Sequence, residues 1–148
     1  MTRSYFSVVV EHPAPVVWSV VRDFNSLATW FDSAVSESHI EDGLTGTTVG
    51  AVRSFQLGAD RIRERLLALS DIKREYSYEF CDPAPFPVED YVATLRVRPV
   101  SATDQSLVEW SVSFDCSVAD RAQWSAFFAA EVFEPALNNL KEYLSRRS

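Results

Sequence analysis

Several stretches of the chain alternate apolar and polar residues with period two, the spacing at which strand side chains turn to opposite faces. In "REYSYEF", Tyr76, Tyr78 and Phe80 fall on one face and Glu75, Ser77 and Glu79 on the other. "SLVEWSVSFDC" sets Val108, Trp110, Val112 and Phe114 against Glu109, Ser111, Ser113 and Asp115, and "YVATLRVRPV" alternates in the same way. Near the amino terminus, "SYFSVVVEH" places Phe6, Val8 and Val10 together. "TVGAVRSFQL" and "RIRERLLALS" are separated by "GAD", a glycine-containing loop of hairpin length. "AVSESHIE" is a weaker strand ahead of the turn "DGLTG".

Two regions change period. "PAPVVWSVVRDF" carries Pro13 and Pro15 where a first helical turn tolerates proline, then Val17, Val21 and Phe24 at helical spacing. "NSLATWF" predicts a second short helix capped by Asn25. Further on, Asp120 with Gln123 three residues later is spaced as a capping box. A helical pattern then runs to Arg146 through Phe127, Phe128, Val132, Phe133, Leu137, Leu140 and Leu144, with Pro135 expected to kink it. Asn138 and Asn139 interrupt that pattern late; the surface is favoured for both, with an inward hydrogen bond from one of them as the alternative. "DPAPFPVED" reads as loop, because its prolines cannot hold a sheet ladder.

The resulting order is one strand, two short helices, a run of strands joined by short loops, and one long helix. Alternating strands with one wet face and one apolar face form an antiparallel sheet that curls around something. The long helix is the element available to fill its concave side. The chain is thus expected to be a single α+β domain over residues 1–148 with a helix-grip fold. Its curved antiparallel sheet has six to seven strands wrapped around a long C-terminal helix, with two short helices after the first strand.

One position conflicts with the alternation. In "RIRERLLALS", Arg61, Arg63 and Arg65 face water, while Ile62, Glu64, Leu66 and Ala68 share the inward face. A buried carboxylate without partners is costly, so Glu64 requires a cation, a donor or a proton. The hairpin brings Arg53 within a residue or two of its level, which makes Arg53 the candidate partner. Such a pair keeps Glu64 charged and oriented; without it, burial raises the carboxyl toward a general acid's range. Tyr78 and Tyr91 also fall on inward faces, and each hydroxyl wants a partner.

A phenol and a carboxylate facing one space can hold a ligand carbonyl or move a proton around it. The same residues satisfied inside an ordinary core leave the same pattern. Glu64, Tyr78 and Tyr91 are therefore the candidate catalytic residues. Arg53, Phe55, Leu57, Glu64, Tyr78, Phe80, Tyr91, Trp110, Phe128 and Val132 are the candidate ligand contacts, with Tyr76, Leu95 and Phe133 expected in the same walls.

Composition narrows the function classes. The 14 basic and 21 acidic residues give a net charge of −7, which speaks against nucleic acid as a partner. No run approaches transmembrane length, so stable membrane insertion is not expected. Cys81 and Cys116 form no disulfide framework, and "MTRSYFSVVVEHPAP" lacks the apolar core of a signal peptide; a cytoplasmic location is expected. His12 and His39 stand apart from the cysteines, so neither a metal nor a cofactor is expected, nor cysteine nucleophilic catalysis. The expected state is a monomer or weak homodimer.

The segments "HPAPVVWSVVRDFNSLATW", "VGAVRSF", "RERLLALSD", "YSYEF" and "YVATLRV" occur in the order seen in the polyketide cyclase/dehydrase and lipid-transfer (START, or Bet v 1-like) superfamily, which the chain resembles over most of its length. The bacterial cyclase-like branch resembles it best. The resemblance implies a deep cavity between sheet and helix for small apolar ligands, lipids or aromatic polyketides. It also implies that Glu64 in "RERL" points inward, and similarity to plant abscisic-acid receptors implies that Tyr91 lines the cavity. The loops "QLGADR" and "DPAPFPVED" are candidate lids, but they lack those receptors' gate proline and latch histidine. Three functions remain open: a binding protein for a small hydrophobic ligand; a cyclase/aromatase or dehydratase using Glu64 and a tyrosine; and a protein-interaction module with a filled core.

Overall fold

The computed structural model describes residues 1–147. Strand β1 (Thr2–Val10) leads into α1 (Ala14–Val21), a short turn of tighter helix, and α2 (Leu27–Trp30). Six strands follow: β2 (Val35–Ile40), β3 (Val52–Leu57), β4 (Asp60–Ser70), β5 (Glu75–Phe80), β6 (Glu89–Val100) and β7 (Gln105–Asp115). All pair antiparallel in one sheet of order β1-β7-β6-β5-β4-β3-β2. The chain ends in α3 (Arg121–Phe127), a wider π-helical segment (Phe128–Phe133) and α4 (Glu134–Arg147). This is the expected helix-grip arrangement.

The apolar faces meet in one core. Val108, Trp110, Val112 and Phe114 of β7 are buried, as are Tyr76 and Tyr78 of β5. Against them pack Phe128, Phe133, Leu137, Leu140 and Leu144 from the C-terminal helical run, and Val17, Val21 and Phe24 from the first helical region. Hydrogen bonds fasten helices to sheet. Trp18 Nε1 and Arg22 Nε donate to Asp71 in the β4–β5 turn, at 2.8 and 3.0 Å. Ser4 and Ser125 each donate a hydroxyl to the other strand or helix, at 2.6 Å to Ser125 O and Arg3 O.

Four local expectations are corrected. The early cap is Asp23, whose carboxylate accepts from Asn25 N at 2.8 Å, because the helical turn begins two residues sooner than expected. Asp120 makes no capping hydrogen bond; it accepts from Ser117 Oγ at 2.7 Å instead, so no capping box forms with Gln123. Ala68 is exposed rather than inward, because a bulge between Leu66 and Ala68 inserts one residue and reverses the alternation. Asn139 is buried, where its Oδ1 accepts from Ser33 N and Ser33 Oγ at 3.2 and 2.6 Å; Asn138 is exposed.

The interruption of the last helix just before Pro135 has a direct cause. Proline lacks the N–H that would bond four residues back, and its ring crowds that carbonyl. Here the preceding turn widens into the π-helical segment.

Candidate functional site

The β3–β4 hairpin aligns Arg53 directly opposite Glu64. Both side chains point inward and are almost fully buried, with 1% and 5% exposure. Arg53 Nε donates to Glu64 Oε1 at 2.7 Å, and Nη2 stands 2.7 Å from the same oxygen without aligned hydrogen-bond geometry. Nη1 donates to the Phe24 carbonyl at 3.1 Å. The guanidinium carbon lies 3.9 Å from the Phe24 ring centre and 4.7 Å from that of Tyr78, so aromatic rings cover the cation. The partner inferred from the hairpin is the partner found.

Electrostatics follow from this enclosure. Burial pushes the Glu64 carboxyl above its usual range, and Arg53 offsets only part of that effect. Burial opposes the Arg53 charge as well, yet Glu64 and the flanking phenols more than compensate and raise its pKa. Burial raises Tyr78 and Tyr91, so both stay neutral phenols at physiological pH and serve as hydrogen-bond donors rather than as bases. Trp110 Nε1 donates to Tyr78 Oη at 3.0 Å. The Cys81 thiol is buried and shifted upward by burial, which makes it a poor nucleophile.

Around this polar cluster lies one cavity between sheet and helix. Arg53, Phe55, Leu57, Glu64, Tyr78, Phe80, Tyr91, Trp110, Phe128 and Val132 all line it. Tyr76, Leu95 and Phe133 do not; they are buried in the core behind it, and Phe133 stacks on Trp110 at 4.9 Å.

The cavity measures about 40 Å³, far from the deep space that the resemblance implied. Such a volume holds a little water, whereas a cavity that takes up benzene is about 150 Å³. Aromatic rings account for the difference. Phe80 stacks on Tyr91 at 4.0 Å, and Phe86 packs against Phe80, Phe127 and Phe128 at 6.0, 5.2 and 5.6 Å.

Five lining residues were not identified from the sequence: Leu27, Phe31, Val35, Ile62 and Phe86. Ile62 shares Glu64's face, and the alternation already contained that signal. Phe86 was legible only as a lone large apolar residue inside a proline-rich loop. Leu27, Phe31 and Val35 follow the first helix, where short elements carry too little periodicity to orient a side chain.

The outer arginines are surface residues. Arg63 binds Glu41 through two hydrogen bonds of 2.7 and 2.8 Å, Arg65 donates to Glu79 at 3.0 Å, and Arg61 donates to Ser54 Oγ at 3.0 Å. Among the described residues, no group of three or more His, Cys, Asp or Glu side chains is placed to hold a metal ion. No described helix is long and apolar enough to cross a membrane.

The family model described as polyketide cyclase/dehydrase and lipid transport matches residues 1–145. The chain belongs to this family. Among solved structures, a protein from Thermobifida fusca is 32% identical, with a TM-score of 0.87 over 99% of this chain and 95% of its own. The protein XoxI from Bacillus cereus is 28% identical, with a TM-score of 0.85 over 100% of this chain and 99% of its own. Norcoclaurine synthase from Thalictrum flavum, solved in complex with dopamine and hydroxybenzaldehyde, is 12% identical, with a TM-score of 0.77 over 99% of this chain and 87% of its own. That last likeness is one of fold. No curated protein matches the chain.

Proposed function

We propose that the protein binds a small hydrophobic ligand in the cavity between sheet and C-terminal helix, and that the cavity enlarges to admit it. The observation that carries this reading is the buried Arg53–Glu64 pair beside two neutral phenols at one end of an apolar space. Stability alone does not account for it, since replacing a buried ion pair by packed apolar groups is often neutral or stabilising. Membership of a family named for cyclase and lipid-transport activities supports small-molecule binding in general terms. Phe86 is the side chain to move: it is only half-buried, sits on the 82–88 loop, and covers the cavity against α3 and the π-helical segment.

Within that family description, binding fits the geometry better than proton transfer. Glu64 Oε1 already takes both contacts from Arg53, and the phenols are held protonated. The small volume favours one other reading, a filled-core module that binds a protein instead. Native mass spectrometry of the protein purified under mild conditions separates the two. Ligand binding predicts a population heavier than the bare chain by a few hundred daltons, lost on denaturation. A bare mass that persists after incubation with apolar ketones, lipids and aromatic compounds would overturn it.

A further inference from the structure

We infer that the polar end of this cavity receives one uncharged hydrogen-bond acceptor, a carbonyl-type oxygen on an otherwise apolar molecule. Tyr91 donates to it, and Glu64 excludes carboxylates by keeping Arg53 engaged. This rests on the binding reading above and specifies what the site selects.

Donors outnumber acceptors at this end of the cavity. The indole of Trp110 can only donate, and its proton goes to Tyr78 Oη. With that oxygen already accepting, Tyr78 turns its own proton away from Trp110; Tyr91 is its hydrogen-bonding neighbour, the two ring centres 6.5 Å apart. Three donors thus face two phenolic oxygens. One phenolic proton is left over, and neither hydroxyl donates a hydrogen bond to Glu64 or to a backbone carbonyl among the described residues. Tyr91 is 6% exposed and lines the cavity, so the surplus proton belongs to a buried group facing the space. An acceptor placed in the cavity would take that proton, and the sequence Trp110, Tyr78, Tyr91 polarises each donor in turn. Its complement is an acceptor.

Charge is excluded by the same geometry. Arg53 is largely engaged: rings cover it on two sides, Nε donates to Glu64 Oε1, Nη1 is on the Phe24 carbonyl, and Nη2, which makes no aligned hydrogen bond, is held 2.7 Å from the same Glu64 oxygen. An entering carboxylate would meet Glu64 at the cavity wall instead of a free cation. An entering ammonium would compete with Arg53 for that carboxylate after losing its own water. A neutral oxygen meets neither penalty.

Calorimetric titration with three one-ring probes tests this: acetophenone, ethylbenzene and benzoate. Acetophenone is expected to bind at least about tenfold tighter than benzoate. Tyr91→Phe is expected to weaken acetophenone by about three- to tenfold while leaving ethylbenzene unchanged, a split that a merely structural tyrosine would not produce. Glu64→Gln is expected to free Arg53 and admit benzoate. Benzoate binding to the wild type as tightly as acetophenone would overturn the inference and leave ligand binding intact. So would a Tyr91→Phe variant with an unchanged acetophenone-to-ethylbenzene ratio, and this arm decides even where Glu64→Gln does not fold. If no probe binds the wild type or a Phe86→Ala variant with its larger cavity, the binding reading falls and the inference with it.

Discussion

Glu64 and Arg53 form an ion pair in the interior, both almost fully buried. Removing one partner leaves a buried charge uncompensated, so Arg53→Met is expected to cost about 3–5 kcal/mol in urea unfolding. Arg53→Met combined with Glu64→Leu is expected to recover most or all of that loss, because the desolvation penalty disappears with the charges. A double variant as unstable as the single one would make the pair a structural necessity. The pair also has a pH signature. The folded Glu64 carboxyl lies above its ordinary value of 4.5, so its stabilisation is fully present below pH 4.5 and is lost as pH rises through the folded value. Wild type should therefore gain on Glu64→Gln as pH is lowered from 7 toward 4. Glu41 and Asp71, held below their usual range by Arg63 and Arg22, act in the opposite sense but are common to both proteins and cancel. At this scale the sequence was most readable, since alternation orients each strand residue and a buried carboxylate demands a partner within reach. It stopped at Asn139, where helical periodicity expects surface and only the fold supplies Ser33.

The elements divide into those that periodicity defines and those that tertiary contacts define. Long alternating runs such as β7 and β6 are where expected, because a two-residue period reports a half-buried face directly. The β4 bulge was not legible: it adds Leu67 against an unchanged partner strand, and nothing in "RLLALS" marks which residue is extra. The π-helical segment was foreshadowed by Pro135 but not its extent, which depends on fitting Phe128 and Phe133 into the core together. α4 is tied to the connection after α2 by Asn139, the one buried polar residue on that helix. Asn139→Ala is expected to cost about 1–2 kcal/mol, since Ser33 loses its acceptor, and calorimetric melting would detect it. An unchanged melting temperature would mean that water replaces the side chain at no cost.

For the whole molecule, the sheet provides a rigid frame and the helical run closes it over a space that is present but small. Chain order and alternation were enough to give the architecture. They could not give the cavity volume, because that depends on how Phe31, Phe80, Phe86 and Tyr91 share one interior, and no periodicity encodes ring packing. On the proposed reading, this interior opens to hold an uncharged apolar ligand against Tyr78 and Tyr91. The indole N–H of Trp110, bonded to Tyr78 Oη, reports on that end of the cavity from inside the fold, whereas Trp18 reports from the helix–turn contact with Asp71. Nitrogen–proton correlation spectra during titration with acetophenone test this directly. A saturable shift of the Trp110 indole signal is expected with the Trp18 signal unmoved; an unmoved Trp110 signal at saturating probe would rule out ligand at this end of the cavity.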